Sequence, residues 1–454
     1  MSIDFRIKDF FYPNRIWKLH RKFEANQWLS PEELEKYQLA RLKAVLTHAF
    51  QEVPYYGKLF RSIGFHPSDV TRIEHIRELP ILDKDTIRAQ FDSLQSREME
   101  RYSPVKARTS GSSGKPLEFY LDRSSQALEF VYYWRHWRWA GYRLGDLFAE
   151  LSSHYFLIRP AMDQLDTHYQ VHLRRLLLNS NRMSRGSCIE MAKQIRRLRP
   201  RFLKGISSAL YFFALNLRGA GITDLKFDCI FSTGEIITPL YRQVIEEVFH
   251  SKILDSYGHM ERTVAISQCP EGGYHVNSDY GLLETVPDES GREKVVSVVG
   301  TSLHNFAMPL IRYDTGDQVE HESGFRSCPC GRTLPLIRSI QGRSEDVIIT
   351  PDGRFLTTLF IVPELVSGVD FIQFVQTSGN ELEIRVVPGN QWNEDESTRL
   401  QNYTRRMTGD SMRVRVCPIT TDDLLFDRSG KIRNVIRLYD STREEYLPSR
   451  SGTG

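Results

Sequence analysis

The residues best equipped for chemistry lie in Thr109-Ser110-Gly111-Ser112-Ser113-Gly114-Lys115-Pro116. Four hydroxyl side chains and two glycines leave backbone N–H groups and hydroxyls free to surround an anion, and Lys115 adds a mobile positive charge. This is the composition of a phosphate cradle. It is not a Walker loop, because the first glycine of that pattern is absent and Pro116 stands where a magnesium-binding hydroxyl is required. Leu117-Glu118-Phe119-Tyr120-Leu121 follows with strand-like alternation, so the cradle reads as a flap leaving into a strand. Taken alone, the same eight residues also fit an ordinary Ser/Gly turn.

A second set of candidates needs a scaffold. Phe227-Asp228-Cys229-Ile230-Phe231-Ser232 reads as a buried strand and Thr233-Gly234-Glu235 as the turn after it. Thr238 and Pro239 can open a helix whose apolar face is Leu240, Val244, Ile245, Val248 and Phe249. Lys252-Ile253-Leu254-Asp255-Ser256 is then a second strand, ending in the loop Tyr257-Gly258-His259-Met260-Glu261. A strand-helix-strand unit of this length suits a right-handed parallel crossover. Gly234-Glu235 and Tyr257–Glu261 would therefore share the carboxyl edge of a sheet, where open α/β folds bind ligands. Glycines there let backbone approach a flat base, and Glu261 offers a carboxylate suited to magnesium. Further on, Val295–Gly300 is a β-branched strand, and Met308–Tyr313 leads into Asp314-Thr315-Gly316-Asp317. An acid on such a turn can grip ribose hydroxyls, although alone the turn also reads as structural.

The remaining segments supply framework. Residues 14–90 read as helices, with Ser30-Pro31-Glu32-Glu33 as a capping box and Leu34, Tyr37, Leu39, Leu42, Val45 and Leu46 as an apolar stripe. Val53-Pro54 ends that helical run, and Leu79–Asp85 is extended before one more short helix. The aromatic stretch 124–141 reads as helix packing. Beyond Gly342-Arg343-Ser344-Glu345-Asp346, alternating strands at 371–376, 381–387 and 412–417 surround a helix at 394–407, a small α+β unit. It carries Lys431 on a polar glycine loop, where spacing alone favours a solvated charge.

With 454 residues, 40% hydrophobic and 26% charged, the chain is globular and long enough for more than one domain. Its net charge of +3 is too mild to indicate nucleic acid. The densest basic run, Arg196 to Lys204, has no periodic aromatics for base stacking and reads as a solvated helix end. No secretory apolar core or bilayer-length run is evident, so a cytoplasmic location without a membrane span is expected. Six cysteines do not suggest a disulfide framework. Cys269, His275, Cys328 and Cys330 form a Cys3His set suited to a closed, structural zinc site, with unligated core thiols as the alternative.

In this order, the segments resemble the adenylate-forming superfamily of acyl-coenzyme A synthetases, adenylation domains and luciferases. Leu39-Ala40-Arg41-Leu42-Lys43, Val53-Pro54-Tyr55-Tyr56, Leu79–Lys84, Arg199-Pro200 and Cys328-Pro329-Cys330-Gly331-Arg332 narrow the resemblance to its phenylacetate-coenzyme A ligase branch, including capsular-polysaccharide-associated members. The resemblance covers nearly the whole chain. It implies an α/β fold: a large domain over residues 1–342, with helices on mixed and parallel sheets and a helical lead-in over 1–100. A small mobile α+β domain would follow over 343–454. It further implies that Thr109 to Lys115 hold ATP phosphates, and that Gly234, Glu235, Tyr257 and Gly258 line the adenine site. Glu261 would bind magnesium, Asp317 would hold the ribose hydroxyls, and Arg343 would follow near the hinge. Lys431 would reach the α-phosphate and the substrate carboxylate.

Two positions depart from the family pattern: Met260 stands where Thr or Ser is usual, and Glu345 where the hinge usually has Asp or Lys. The implied activity is ATP- and magnesium-dependent activation of a small-molecule carboxylate as acyl-AMP, with transfer to coenzyme A. Transfer to an amino sugar or amine in surface-polysaccharide assembly is the alternative, and a nucleotide-binding zinc protein without turnover is a third reading. Residues 151–160, including His154, and Ser207-Ser208 are candidates for the acyl pocket. A homodimer is left open.

Overall fold

The computed structural model describes residues 13–108, 117–152, 154–162, 164–235, 237, 239–287, 295–321, 327–340, 348–352, 355–356, 366–389, 391–420, 423–427, 435–438 and 446–448. The cradle from Thr109 to Pro116, the hinge positions Arg343 and Glu345, and Lys431 lie outside the described residues, as does Thr238.

The lead-in is helical: α1 (Pro13–Asn26), α2 (Pro31–Glu52), α3 (Pro54–Ile63) and α4 (Lys84–Ala89). Ser30 opens α2 with the expected box, its Oγ accepting the Glu33 N–H while Glu33 accepts the Ser30 N–H. Val53 turns extended and closes α2, yet Pro54 starts α3 at once, since proline suits a first helical position. The proline therefore divides two helices where the sequence suggests an end to the helical run. Leu42, Val45, Leu46, Tyr56 and Phe60 pack with Leu79, Leu82, Met308 and Leu310 in one core. Leu82 bridges in parallel to Tyr313, which fastens the extended segment before α4 to the second half of the chain. Strands β1 (Val105–Arg108) and β2 (Glu118–Leu121) pair antiparallel up to Arg108 and Glu118.

The main sheet has nine strands in the order β14-β10-β9-β8-β7-β6-β3-β5-β4. They are β3 (Phe148–Ser152), β4 (Thr167–Gln170), β5 (Arg175–Asn179), β6 (Phe202–Ile206), β7 (Cys229–Thr233), β8 (Ile253–Gly258), β9 (Ala265–Gln268), β10 (Tyr274–Val276) and β14 (Leu336–Ile337). The run β5-β3-β6-β7-β8 is parallel, as the crossover reading requires. Helices α7 (Arg185–Leu198), α8 (Ser207–Gly219) and α9 (Pro239–Phe249) cover one face, and short α6 (His154–Leu157) follows β3. The other face is covered by α5 (Arg123–Trp139), which is buried on nearly every side and carries Glu129, Arg135 and His136 among its buried residues. Its Arg135, fully buried, reaches Asp279 at 2.8 and 2.9 Å and the Phe23 carbonyl at 2.8 Å, tying α5 to α1 and to the turn after β10.

A second, antiparallel sheet runs β11 (Gly281–Pro287), β12 (Val295–Ser302), β13 (Tyr313–Glu320) and β15 (Ser339–Ile340). The carboxyl-terminal unit is α+β with its own core of Ile372, Phe374, Ile384, Leu400 and Met407. Its sheet orders β20 (Arg413–Pro418), β19 (Glu381–Pro388), β18 (Val369–Ser378) and β22 (Val435–Arg437) beside α10 (Glu394–Thr408). Short pairs β16 (Ile348–Ile349) with β17 (Phe355–Leu356), and β21 (Leu425–Asp427) with β23 (Tyr446–Pro448), complete it.

Three boundaries shift from the sequence reading. Tyr257 and Gly258 belong to β8 instead of a loop, because they pair with Ile266 and Ala265 of β9. Asp314 to Asp317 lie within β13, across a bulge opposite Ser297 and Val299, where Gly316 takes φ 73°. The basic run is divided: Arg196 and Arg197 end α7, but Lys204 is a buried residue of β6.

Candidate active site

The parallel strands deliver their carboxyl ends to one edge. After β7 the chain turns through Gly234 at φ 82°, a conformation L side chains rarely adopt, and the Glu235 carbonyl accepts the Ser207 hydroxyl at 3.1 Å. Beside it β8 ends in Tyr257 and Gly258. The Tyr257 hydroxyl donates to Asp317 Oδ2 at 2.8 Å, joining the two sheets across the expected nucleotide-binding residues. Burial and the adjacent Asp317 charge push the Tyr257 phenol well above its ordinary pKa, so it stays a donor. From α5, Tyr132 donates to the Tyr257 carbonyl at 3.2 Å and Tyr133 meets Thr233 Oγ1 at 3.1 Å.

Glu261 is 6% exposed and held from both sides. Tyr313 donates to Oε1 at 2.5 Å, and His259 Nδ1 lies 3.0 Å from Oε2. The His259 tautomer follows from its other nitrogen: Nε2 accepts the Val264 N–H at 3.3 Å, so Nδ1 carries the proton and donates to the carboxylate. Burial opposes ionisation, yet the His259 and Tyr313 contacts outweigh it and bring the Glu261 pKa down to about 2. Thr263, 3.1 Å from His259 Nε2, fits because Gly281 and Gly300 lack side chains. A Cβ on Gly300 would stand 2.0 Å from Thr263 Oγ1, and one on Gly281 1.8 Å from the Thr263 carbonyl oxygen. Met260 packs against the lead-in core.

The Cys3His set also assembles. Cys269 follows β9, His275 lies on β10, and Cys328 and Cys330 precede β14, with all four ligand atoms within 4.8 Å of one another. Cys269 and Cys328 sulfurs are 3.5 Å apart, and Cys330 Sγ is 3.3 Å from His275 Nε2. His275 donates Nδ1–H to the Leu334 carbonyl at 3.0 Å, which leaves Nε2 bare for a ligand bond. Burial keeps His275 neutral with a pKa of about 4. Burial and Cys328 push the Cys269 thiol up to about 12, a cost that a bound zinc would remove by taking the thiolate. Spacing and donor chemistry fit a tetrahedral zinc.

Of the expected residues, Gly234, Glu235, Tyr257, Gly258, Glu261 and Asp317 gather at one sheet edge. Thr109, Ser110, Gly111, Ser112, Ser113, Gly114, Lys115, Arg343 and Lys431 fall outside the described residues, and nothing is described of the His154 and Ser208 side chains. Sequence reasoning missed His259, Tyr313 and Tyr133. His259 had a signal, since it lies two residues before the acid it orients, whereas Tyr133 was hidden in an aromatic run.

No protein-family model matches the chain. It is 25% identical over 389 residues to a phenylacetate-coenzyme A ligase of Thermus thermophilus, covering 79% of this chain and 82% of that protein. Identity is 28% over 332 residues to a phenylacetate-coenzyme A ligase of Pseudomonas putida, covering 70% and 73%. Protein CapK of Staphylococcus aureus is 20% identical, covering 85% of each chain. A 2-hydroxyisobutyryl-CoA ligase solved with 2-HIB-AMP and CoA shares the fold, with TM-score 0.58, 21% identity and 91% of both chains covered. Similarity to phenylacetate-coenzyme A ligases across most of the chain, together with the shared fold, supports an enzyme of the adenylate-forming superfamily, in the phenylacetate-coenzyme A ligase branch.

Proposed function

We propose that the protein uses ATP to activate a carboxylate as acyl-AMP and then passes the acyl group to coenzyme A. The observation that carries this reading is the Tyr257–Asp317 hydrogen bond beside a buried, ionised Glu261, on one edge of a parallel sheet. In this reading Gly234, Glu235, Tyr257 and Gly258 bound the adenine, and Asp317 exchanges its tyrosine partner for ribose hydroxyls. Each Glu261 oxygen keeps a lone pair beyond the hydrogen bond it accepts, which fits a magnesium ion that neutralises phosphate charge. Residues 109–115 close over the phosphates. We place the domain boundary at residue 342, with Arg343 near the hinge and Lys431 on a mobile unit.

A substrate carboxylate oxygen attacks the α-phosphorus and pyrophosphate leaves; the coenzyme A sulfur then attacks the acyl carbon and AMP leaves. The first step brings two anions together, so its catalysis is charge neutralisation and alignment, to which Lys431 and Lys115 contribute. ATP and coenzyme A place the reaction in the cytoplasm. Zinc in the Cys3His set serves structure.

Exchange of labelled pyrophosphate into ATP across a panel of carboxylic acids tests the first step; absence of exchange with every acid, while ATP binds, rejects it. Lys431→Ala is expected to reduce exchange by about a thousandfold with ATP affinity within about threefold. Asp317→Ala is expected to weaken ATP binding itself by about 10- to 100-fold, read by titration calorimetry. The likeness to CapK supports a second reading, an amide ligase acting on an amino sugar or amine. Thioester formation with coenzyme A separates the two products.

A further inference from the structure

The extended segment before α4 meets β13 through hydrogen bonds as well as packing. Leu82 forms a parallel bridge with Tyr313: its N–H donates to the Arg312 carbonyl at 2.8 Å and its carbonyl accepts the Asp314 N–H at 3.0 Å. The bridge is isolated because Asp83 caps α4, its Oδ1 accepting the Thr86 N–H at 2.6 Å, and the backbone turns away into the helix. Lys84 is the first residue of that helix, half-buried, and its side chain reaches back. Its Nζ donates to the Thr315 carbonyl at 3.2 Å. A side chain thus carries on along β13 the contact that the backbone gives up.

The carbonyl that Lys84 holds belongs to the peptide between Thr315 and Gly316. The N–H of the same peptide donates to Asp314 Oδ1 at 2.9 Å. Both ends of one peptide plane are therefore gripped, the oxygen by Lys84 and the N–H by Asp314. Such a grip matters beside Gly316, at φ 73°, because glycine takes either sign of φ and lets the plane before it turn over at little steric cost. Just beyond, the Asp317 N–H donates to Thr315 Oγ1 at 3.1 Å, and that hydroxyl donates to the Val298 carbonyl of β12 at 2.8 Å. The Asp317 carboxylate then accepts the Tyr257 hydroxyl. The aim of Asp317 thus depends on the bulge, and the bulge on a peptide clamped at both ends.

We propose that Lys84 is a positioning residue for nucleotide binding: through the Thr315–Gly316 peptide it holds the β13 bulge so that Asp317 is already aimed at the ribose hydroxyls. This rests on the adenylation reading above, in which Asp317 receives those hydroxyls. A group ordered before binding adds affinity because its ordering cost is met in the free protein. Lys84 acts through the peptide, so its effect is confined to the ribose. A cation acting from a distance on phosphate would instead serve every adenosine triphosphate alike, whatever its sugar.

Binding of ATP and of 2′,3′-dideoxyATP to the full-length protein, each with magnesium and without any acid, is measured by titration calorimetry. The wild type is expected to bind ATP at least about tenfold more tightly than the dideoxy analogue. Lys84→Met keeps the stem and removes the donor; it should bring that ratio below about threefold and leave dideoxyATP affinity within about twofold. Asp314→Ala frees the other end of the peptide and should lower the ratio likewise, which keeps the test decisive if Lys84→Met folds poorly. In an Asp317→Ala background, adding Lys84→Met should change ATP affinity by less than about twofold, because the group it positions is gone. Equal weakening of both nucleotides by Lys84→Met, or a loss that adds to that of Asp317→Ala, overturns the proposal. So does a wild type that binds the two nucleotides alike. Ribose discrimination that Lys84→Met abolishes, in a protein without pyrophosphate exchange for any acid, keeps the positioning role and rejects adenylation. A wild type that binds neither nucleotide rejects the two together.

Discussion

At the scale of single residues, the site depends on which atom holds which proton. Glu261 receives one hydrogen bond on each oxygen, and the His259 donor cannot turn round because its Nε2 already accepts from Val264. An amide at position 261 would satisfy Tyr313 but would set its NH2 against the His259 N–H. Glu261→Gln is thus expected to lose exchange activity and also to destabilise the fold by about 1–3 kcal/mol, read from urea denaturation. Wild-type stability in that variant would show that His259 does not donate there. The neighbouring Tyr257–Asp317 bond works differently, because both partners also face the expected nucleotide and need only exchange one donor for another.

At the scale of elements, the Glu261 loop is seated by a close approach, and the Cys3His cluster ties together other elements. Gly281 and Gly300 sit on adjacent strands and leave the space that Thr263 occupies. Gly300→Ala forces Thr263 off its position, so it should cost about 1–3 kcal/mol and lower exchange by more than about tenfold. On the far side of the sheet, Arg332 stacks 4.3 Å from the Trp139 ring centre and donates to Gln27, so the cysteine loop joins the α1–α2 junction to the end of α5. One zinc per chain is expected by elemental analysis, and Cys328→Ser should abolish it and lower Tm by several degrees. A metal-free wild type of unchanged Tm would reject zinc at that cluster. Periodicity made the helices, the crossover and the carboxyl-terminal unit legible, and the Cys3His spacing was enough to forecast its assembly. Strand pairing was less legible: Tyr257-Gly258 looked like a loop because a glycine ends the apolar run, and only pairing with β9 extends it. Charge density along a chain does not show which residue turns inward, so the basic run reads as solvated while Lys204 is buried.

At the scale of the whole molecule, α1 and α5 hold the lead-in against the main sheet, and buried histidines lie both between α1 and α5 and between α5 and the sheet. His20 of α1 tilts against Trp134 of α5 with centroids 4.6 Å apart, and His136 donates Nε2–H to the Gln268 carbonyl at 2.9 Å. His304, beside Phe23, adds to the same region. In each, burial is the main cause that lowers the pKa from 6.5 to about 4, helped by nearby arginines. Below 6.5 the unfolded chain takes up protons that the folded protein refuses until about pH 4, so stability is complete above pH 6.5 and declines as pH falls through that window. His20 and His136 each contribute at most about 3 kcal/mol to that loss, enough together to matter against a total of about 5–15 kcal/mol. The urea midpoint should therefore drop steeply between pH 6.5 and 4.5, and His136→Gln, which keeps the donor to Gln268 but cannot ionise, should flatten the drop. A midpoint level from pH 7 to pH 5 would mean that these histidines do not govern the acid stability of the packing of α5 between α1 and the main sheet.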